Sequence, residues 1–211
     1  GTRLLSAPHE ALAQAQQWIF ENVLQKLPVE GAAHGFVKGR STVTNAKEHL
    51  HQGIVINLDL SDFFPTIGFG RVRGFFESLG YSPAVATIFA LLCTEPPRRK
   101  VVYDGVTYWV AVGDRGLPQG ACTSPAISNL ISRKLDRRLS GMTRKMGWTY
   151  TRYADDLTFS AELQDVGEGK KGRKDLGMLL ARIRHVVTEE GFAINPKKGR
   201  IQHAGGRQEV T

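Results

Sequence analysis

Two adjacent carboxylates occupy the stretch Tyr153-Ala154-Asp155-Asp156. Trp148 to Tyr153 alternates aromatic and polar side chains before them, and Leu157-Thr158-Phe159-Ser160 alternates after them. That pattern predicts a hairpin carrying the acids at its tip. A third carboxylate, Asp59, ends the apolar run Ile54-Val55-Ile56-Asn57-Leu58. Three acids gathered from two strands suit a pair of hard divalent cations, and such a pair serves in-line displacement at phosphorus. The expected chemistry is nucleotidyl transfer. Asp also favours turns, so an isolated Asp-Asp pair is by itself ordinary loop punctuation; the residues around it decide.

The elements that must present these acids can be read from periodicity. Leu12, Ala15, Ile19, Val23 and Leu27 recur at helical spacing before Pro28, predicting a helix over roughly 9–27, and a Gly-rich connector follows over 29–40. Ser41 is placed to cap a helix reaching about Gln52, with Asn45 and His49 on one face. In the strand 54–60, Ile54, Ile56, Leu58 and Leu60 share one side, so alternation sends Asp59 to the other, towards a cleft. Helices are expected over about 69–79 and 82–93, then a hairpin turning at Asp104-Gly105, then a helix over 124–140 opened by Ser124-Pro125. Residues 164–174 read as a loop, and Leu176 to Val187 as a helix closed by Gly191. Short strands are expected at 192–194 and 200–202. The order from residue 54 onward suits an antiparallel sheet backed by two helices, the split βαβ plan.

Composition narrows the classes. Lys and Arg outnumber Asp and Glu by 28 to 20, a formal net charge of +8, which favours a polyanionic partner such as nucleic acid. Two cysteines, Cys93 and Cys122, support neither a disulfide framework nor a zinc module, and make a reducing cytoplasm the default. No apolar run has the length of a membrane span, and no signal-peptide layout opens the chain, so a cytoplasmic protein without a membrane partner is expected.

Further segments surround the acids. Asp59-Leu60-Ser61-Asp62-Phe63-Phe64-Pro65, Gly116-Leu117-Pro118-Gln119-Gly120, the Tyr-Ala-Asp-Asp turn and Gly191-Phe192-Ala193-Ile194-Asn195-Pro196-Lys197-Lys198 occur in this order. Together they resemble the palm motifs of reverse transcriptases, over nearly the whole chain. Within that superfamily the chain is most similar to bacterial retron enzymes. Asn45-Ala46-Lys47-Glu48-His49 resembles their Asn-Ala-x-x-His hallmark, and Val210-Thr211 the start of their Val-Thr-Gly. His34 to Ser41 and Tyr150-Thr151-Arg152 add to the likeness.

The resemblance implies an α+β, right-hand polymerase fold with a ferredoxin-like (split βαβ) palm sheet. Residues 1–53 and 68–118 would be fingers and 54–67 and 119–211 palm, with the thumb absent from the chain. Asp59 and Asp155 would hold two Mg2+ ions (Mn2+ an alternative) with the Leu60 carbonyl, and Asp156 would be the third carboxylate or a turn residue only. The backbone of Asp62 and Phe63 would receive triphosphate oxygens, although the Asp62 side chain could simply cap the turn. Phe64 would be a steric gate against a 2′-hydroxyl, with one of Phe63 and Phe64 in the core. Gln119 would pack against the template–nucleotide pair, Lys198 (or Lys197) would approach the pyrophosphate, and Arg3 would grip the triphosphate, a bidentate task suited to guanidinium. Arg40, Asn45 and His49 are candidate contacts to RNA or template; Asn45 and His49 could equally bond each other.

The function implied is an RNA-directed DNA polymerase of retron type, extending a primer hydroxyl with dNTPs. It would copy a cognate structured noncoding RNA into branched RNA–DNA, hold the RNA–DNA duplex, and act with an effector protein in phage defence. Alternatives are a group II intron or CRISPR-associated type of reverse transcriptase, a two-metal nuclease, and a non-catalytic RNA-binding module, since the split βαβ sheet also binds RNA.

Overall fold

A computed structural model describes residues 6–162, 170–206 and 208–210. In chain order its elements are helix α1 (Glu10–Asn22), a 3-10 turn (Leu24–Lys26), α2 (Thr42–Lys47), strand β1 (Ile54–Asp59), α3 (Phe63–Thr66), α4 (Phe69–Ser78) and α5 (Pro83–Cys93). Then come β2 (Arg98–Tyr103), β3 (Val106–Ala111), α6 (Ser124–Ile131), α7 (Arg133–Lys145), β4 (Thr149–Tyr153), β5 (Asp156–Ala161), α8 (Lys170–Glu189) and β6 (Arg200–His203). The fold is α+β. Two compact units form, Gly1–Pro28 with Phe64–Ile131 and Val29–Phe63 with Ser132–Thr211.

The first unit is helical with one hairpin. α5 starts at Ser82, whose hydroxyl accepts from the Val85 amide, with Pro83 beside it where its missing N–H costs nothing. α4 packs on α5 and α6, and α1 on α5. The rings of Phe76 and Tyr81 each meet Phe89 edge-on at 5.1 Å, and Ile19, Val72, Ala86 and Ala90 are buried. β2 and β3 turn at Asp104 (φ 49°) and Gly105 (φ 71°), the left-handed pair a two-residue hairpin favours.

The second unit is built on a four-stranded antiparallel sheet in the order β4-β5-β1-β6. β1 lies between β5 and β6, and Ile54, Val55 and Ile56, whose side chains alternate between the two faces, are all buried. The expected division of this strand into a greasy side and a cleft side is therefore weaker than alternation suggested. α7 packs on β4 and on α8. Leu135, Leu139, Leu179 and Ile183 are buried on these helices, and Leu157 and Phe159 in the sheet.

Several boundaries differ from expectation. The helix capped by Ser41 carries the reciprocal capping box with Thr44, yet its α-helical part stops at Lys47 and His51 takes a left-handed φ of 59°. The helix expected over 124–140 is two, α6 and α7, interrupted at Ser132. Residues 170–174, expected in a loop, open α8, where Lys and Arg are good helix formers. The strand expected at 192–194 is a single bridge from Ile194 to Leu60. Gly191 does close α8, at φ 74°.

Candidate active site

The acid-bearing turn closes where Tyr153 pairs with Asp156, and Ala154 adopts a φ of 55°, rare for a residue with a Cβ. β1 runs antiparallel to β5 in a register that sets Asp59 directly opposite Asp156. One residue on, the Leu60 amide donates to the Asp155 carbonyl at 2.9 Å. Backbone pairing therefore brings all three acids to one end of one sheet.

Asp59 is almost wholly buried, and both of its carboxylate oxygens are engaged from one turn. Asn195 Nδ2 donates to Oδ1 at 3.1 Å, and Lys198 Nζ donates to Oδ2 at 2.9 Å. The Asn195 amide donates to the Asp59 carbonyl at 2.7 Å, and the Lys197 amide to Asn195 Oδ1 at 3.0 Å, so backbone and side chains together clamp this turn on β1. Of the two candidate lysines, Lys198 is the one whose ammonium meets the site. Ser61 continues the contact, its amide donating to the Ala193 carbonyl at 2.8 Å.

Behind the turn lies a group whose role sequence reasoning did not assign. Arg152 is fully buried, as is Asp136 on α7. Arg152 Nε and Nη2 donate to the two oxygens of Asp136 at 2.8 and 2.7 Å, while Nη1 donates to the Ala154 carbonyl at 3.0 Å. The Tyr150 hydroxyl donates to Asp136 Oδ1 at 2.9 Å. Burial alone would pull the guanidinium pKa down, but the Asp136 carboxylate outweighs it and the pKa is raised. Burial, and then Asp136, push Tyr150 well above its usual value. An arginine inside a strand that otherwise alternates aromatic and hydroxyl side chains was the available signal.

The segment before α2 lies along this turn. Arg152 N donates to the Ala32 carbonyl at 2.8 Å, and the His34 amide to the Arg152 carbonyl at 2.7 Å. Gly35 is needed there, since a Cβ on it would sit 2.6 Å from the Ala154 nitrogen. Arg40 Nη1 donates to the carbonyls of Gly31 at 2.7 Å, Glu30 at 3.3 Å and Ala33, securing the same segment. His49 is buried between two hydroxyls, Nδ1 2.7 Å from Ser160 Oγ and Nε2 2.7 Å from Thr151 Oγ1. Burial, with His34 adding to it, lowers its pKa to about 4. His49 thus spends both ring nitrogens on the sheet. Asn45 is buried as well.

Phe63 is buried, its ring 5.5 Å from that of Phe192 and 5.8 Å from the Arg152 guanidinium carbon, so it is a core residue of the second unit. Asp62 is exposed at a left-handed φ of 45°. Phe64 and Gln119 belong to the first unit, where both are half-buried. There the Gln119 carbonyl accepts from the Ser6 amide at 2.9 Å, and the Leu117 amide donates to the Ile67 carbonyl at 3.2 Å. Arg3 and Thr211 lie outside the described residues.

The profile of a family described as "Reverse transcriptase (RNA-dependent DNA polymerase)" matches residues 2–210. The chain belongs to that family. It is 45% identical over 210 residues to the retron Mx162 reverse transcriptase of Myxococcus xanthus, covering 99% of this chain and 43% of that protein. To the retron Mx65 reverse transcriptase of the same organism it is 46% identical, covering 100% of this chain and 47% of the relative. Against the retron Ec86 reverse transcriptase of Escherichia coli identity is 34%, over 99% of this chain and 57% of the relative. The chain spans about half the length of the curated relatives it matches.

Reverse transcriptases are RNA-directed DNA polymerases, hence nucleotidyltransferases, and generally use divalent metals, commonly Mg2+. The donor set here fits that requirement in kind: hard carboxylate oxygens at one sheet end, one already neutralised by an ammonium. Among the described residues no three His, Cys, Asp or Glu side chains are drawn into a cluster that could hold an ion. The acids are brought together by backbone register, while Asp59 is turned to Asn195 and Lys198. No helix among the described residues is long and apolar enough to cross a membrane.

Proposed function

We propose that this reverse transcriptase family member is a retron-type RNA-directed DNA polymerase that extends a primer hydroxyl with dNTPs. The observation that carries the reading is the register Asp59 opposite Asp156, with the Leu60 amide on the Asp155 carbonyl. Asp59, Asp155 and Asp156 would hold two Mg2+ ions with the Leu60 carbonyl. Such ions, when bound, acidify the primer hydroxyl and neutralise charge developing on the triphosphate. Lys198, whose ammonium lies 2.9 Å from Asp59 Oδ2, would follow negative charge on the pyrophosphate as it leaves. Asn195 orients Asp59 through its amide.

The order β4-β5-β1-β6 supports a split βαβ palm. Residues 1–53 and 68–118 are assigned to fingers and 54–67 and 119–211 to palm. Phe64 is assigned as sugar gate, the Asp62–Phe63 backbone and Arg3 to the triphosphate, and Gln119 to the template–nucleotide pair, on motif position. Arg40, Asn45 and His49 are assigned to RNA or template on motif position; in support, Arg40 secures residues 30–33 and His49 anchors its segment to the sheet. The template is a cognate noncoding RNA and the product branched RNA–DNA, made alongside an effector in phage defence.

One assay tests the core of this. With primed RNA template and Mg2+, dNTPs but not NTPs should extend the primer, and Asp155→Asn should abolish it. Cleavage of the template, or binding without extension, would replace this reading with the nuclease or the RNA-binding module.

A further inference from the structure

The turn that presents Asp155 is not self-supporting. Ala154 pays for a left-handed φ with a side chain present, and such a conformation persists only when its surroundings over-determine it. Two hydrogen bonds do so, one on each peptide flanking Asp155. The carbonyl after Asp155 accepts from the Leu60 amide at 2.9 Å, and the carbonyl before it, that of Ala154, accepts from Arg152 Nη1 at 3.0 Å.

We infer that Arg152 is a positioning residue for the polymerisation site, fixing the Asp155 backbone through the Ala154 carbonyl while Asp136 fixes Arg152. The inference rests on the polymerase reading above. Its physical basis is the guanidinium fork. Two nitrogens are spent on the carboxylate of Asp136, at 2.8 and 2.7 Å, which locks the plane and aims the third at Ala154. The Tyr150 hydroxyl on Asp136 Oδ1 and the Phe63 ring near the guanidinium complete the enclosure. Lysine, with one ammonium, can keep the charge pair but cannot span Asp136 and the Ala154 carbonyl together. A buried ion pair is weak as a source of stability, because desolvation offsets its attraction. Its value here is direction.

The test is Arg152→Lys, with the double variant Arg152→Met/Asp136→Leu, which replaces the pair by apolar groups of similar size. Both are read by thermal melting, by Mn2+ binding without nucleotide using electron paramagnetic resonance, and by the Mg2+ dependence of primer extension. Removing a partner that orients a metal ligand weakens metal affinity by about 10- to 100-fold. The expected result is a cooperative melt in at least one variant, a loss of Mn2+ affinity of about tenfold or more, and a matching rise in half-saturating Mg2+. The KM for dNTP at saturating Mg2+ should stay near wild type. A purely structural role would instead lower the active fraction equally at every Mg2+ concentration. Unshifted Mn2+ and Mg2+ curves in a folded variant overturn the inference, as does failure of both variants to fold. If wild type itself neither extends a primer nor binds Mn2+, the polymerase reading falls first.

Discussion

Lowering the pH from 7 to 5 should cost this protein stability through His49, by an amount that can be worked out. The ring is buried, and its folded pKa is about 4 against an ordinary 6.5, chiefly because burial penalises the charged form. As pH falls the unfolded chain takes up the proton first, so the contribution is complete above about 6.5 and is lost progressively towards 4. At pH 5 the protonation ratio of unfolded to folded states corresponds to roughly 2 kcal/mol, against about 0.2 at pH 7. That is a sizeable share of a typical ~5–15 kcal/mol stability. Both ring nitrogens face hydroxyls, Ser160 and Thr151, which can accept as well as donate, so the hydrogen bonds survive protonation and desolvation is the term at stake.

The assay is urea unfolding at pH 7, 6 and 5, comparing wild type with His49→Gln. His34, also lowered by burial and by Arg40, contributes in the same direction and is present in both proteins. The difference between the two slopes therefore reports His49 together with its small coupling to His34. Wild type should lose about 2 kcal/mol more than the variant between pH 7 and 5. Parallel pH profiles would refute a buried neutral imidazole and free His49 for a surface role.

Three further outcomes follow from the geometry. Gly35→Ala places a Cβ 2.6 Å from the Ala154 nitrogen and should cost about 1–3 kcal/mol in urea unfolding, whereas Gly31→Ala, with nothing within 4 Å, should be near neutral; equal effects would refute the contact. Lys198→Met removes an ammonium 2.9 Å from Asp59 Oδ2 that competes with a cation. Nucleotide-free Mn2+ binding should tighten, by the ~0.2–1 kcal/mol of a partly exposed pair, while primer extension slows; weaker Mn2+ binding would contradict the competition. Phe64→Ala should admit ribonucleotides in single-nucleotide incorporation, and unchanged sugar selectivity would remove the gate assignment.

The acid hairpin, β1 and the start of α2 could be read from the sequence because each is a local signal: alternation, a turn of fixed length, a Ser at the cap position. What escaped was everything set by contacts distant in sequence. Read as one helix reaching Gln52, the segment set Asn45 and His49 on a common face and invited a bond between them, but α2 stops at Lys47 and His49 lies beyond it. The ring nitrogens instead reach Thr151 and Ser160, more than a hundred residues away. Alternation in β1 foresaw one buried side, but Val55 on the other side is buried too, which depends on what packs over the sheet's second face rather than on the strand's own pattern. Asp136, within a run of basic residues on α7, drew no reading from the sequence, and its role shows only once Arg152 is placed against it. These misses share a cause. A polar side chain inside a core is intelligible only with its partner, and the partner is chosen by tertiary packing, which no window of periodicity contains. The same logic argues that the chemistry of this site cannot be transplanted as a four-residue turn. The Leu60 and Arg152 hydrogen bonds on its flanking peptides, and the room that Gly35 leaves beside Ala154, hold the backbone that carries the Asp155 carboxylate.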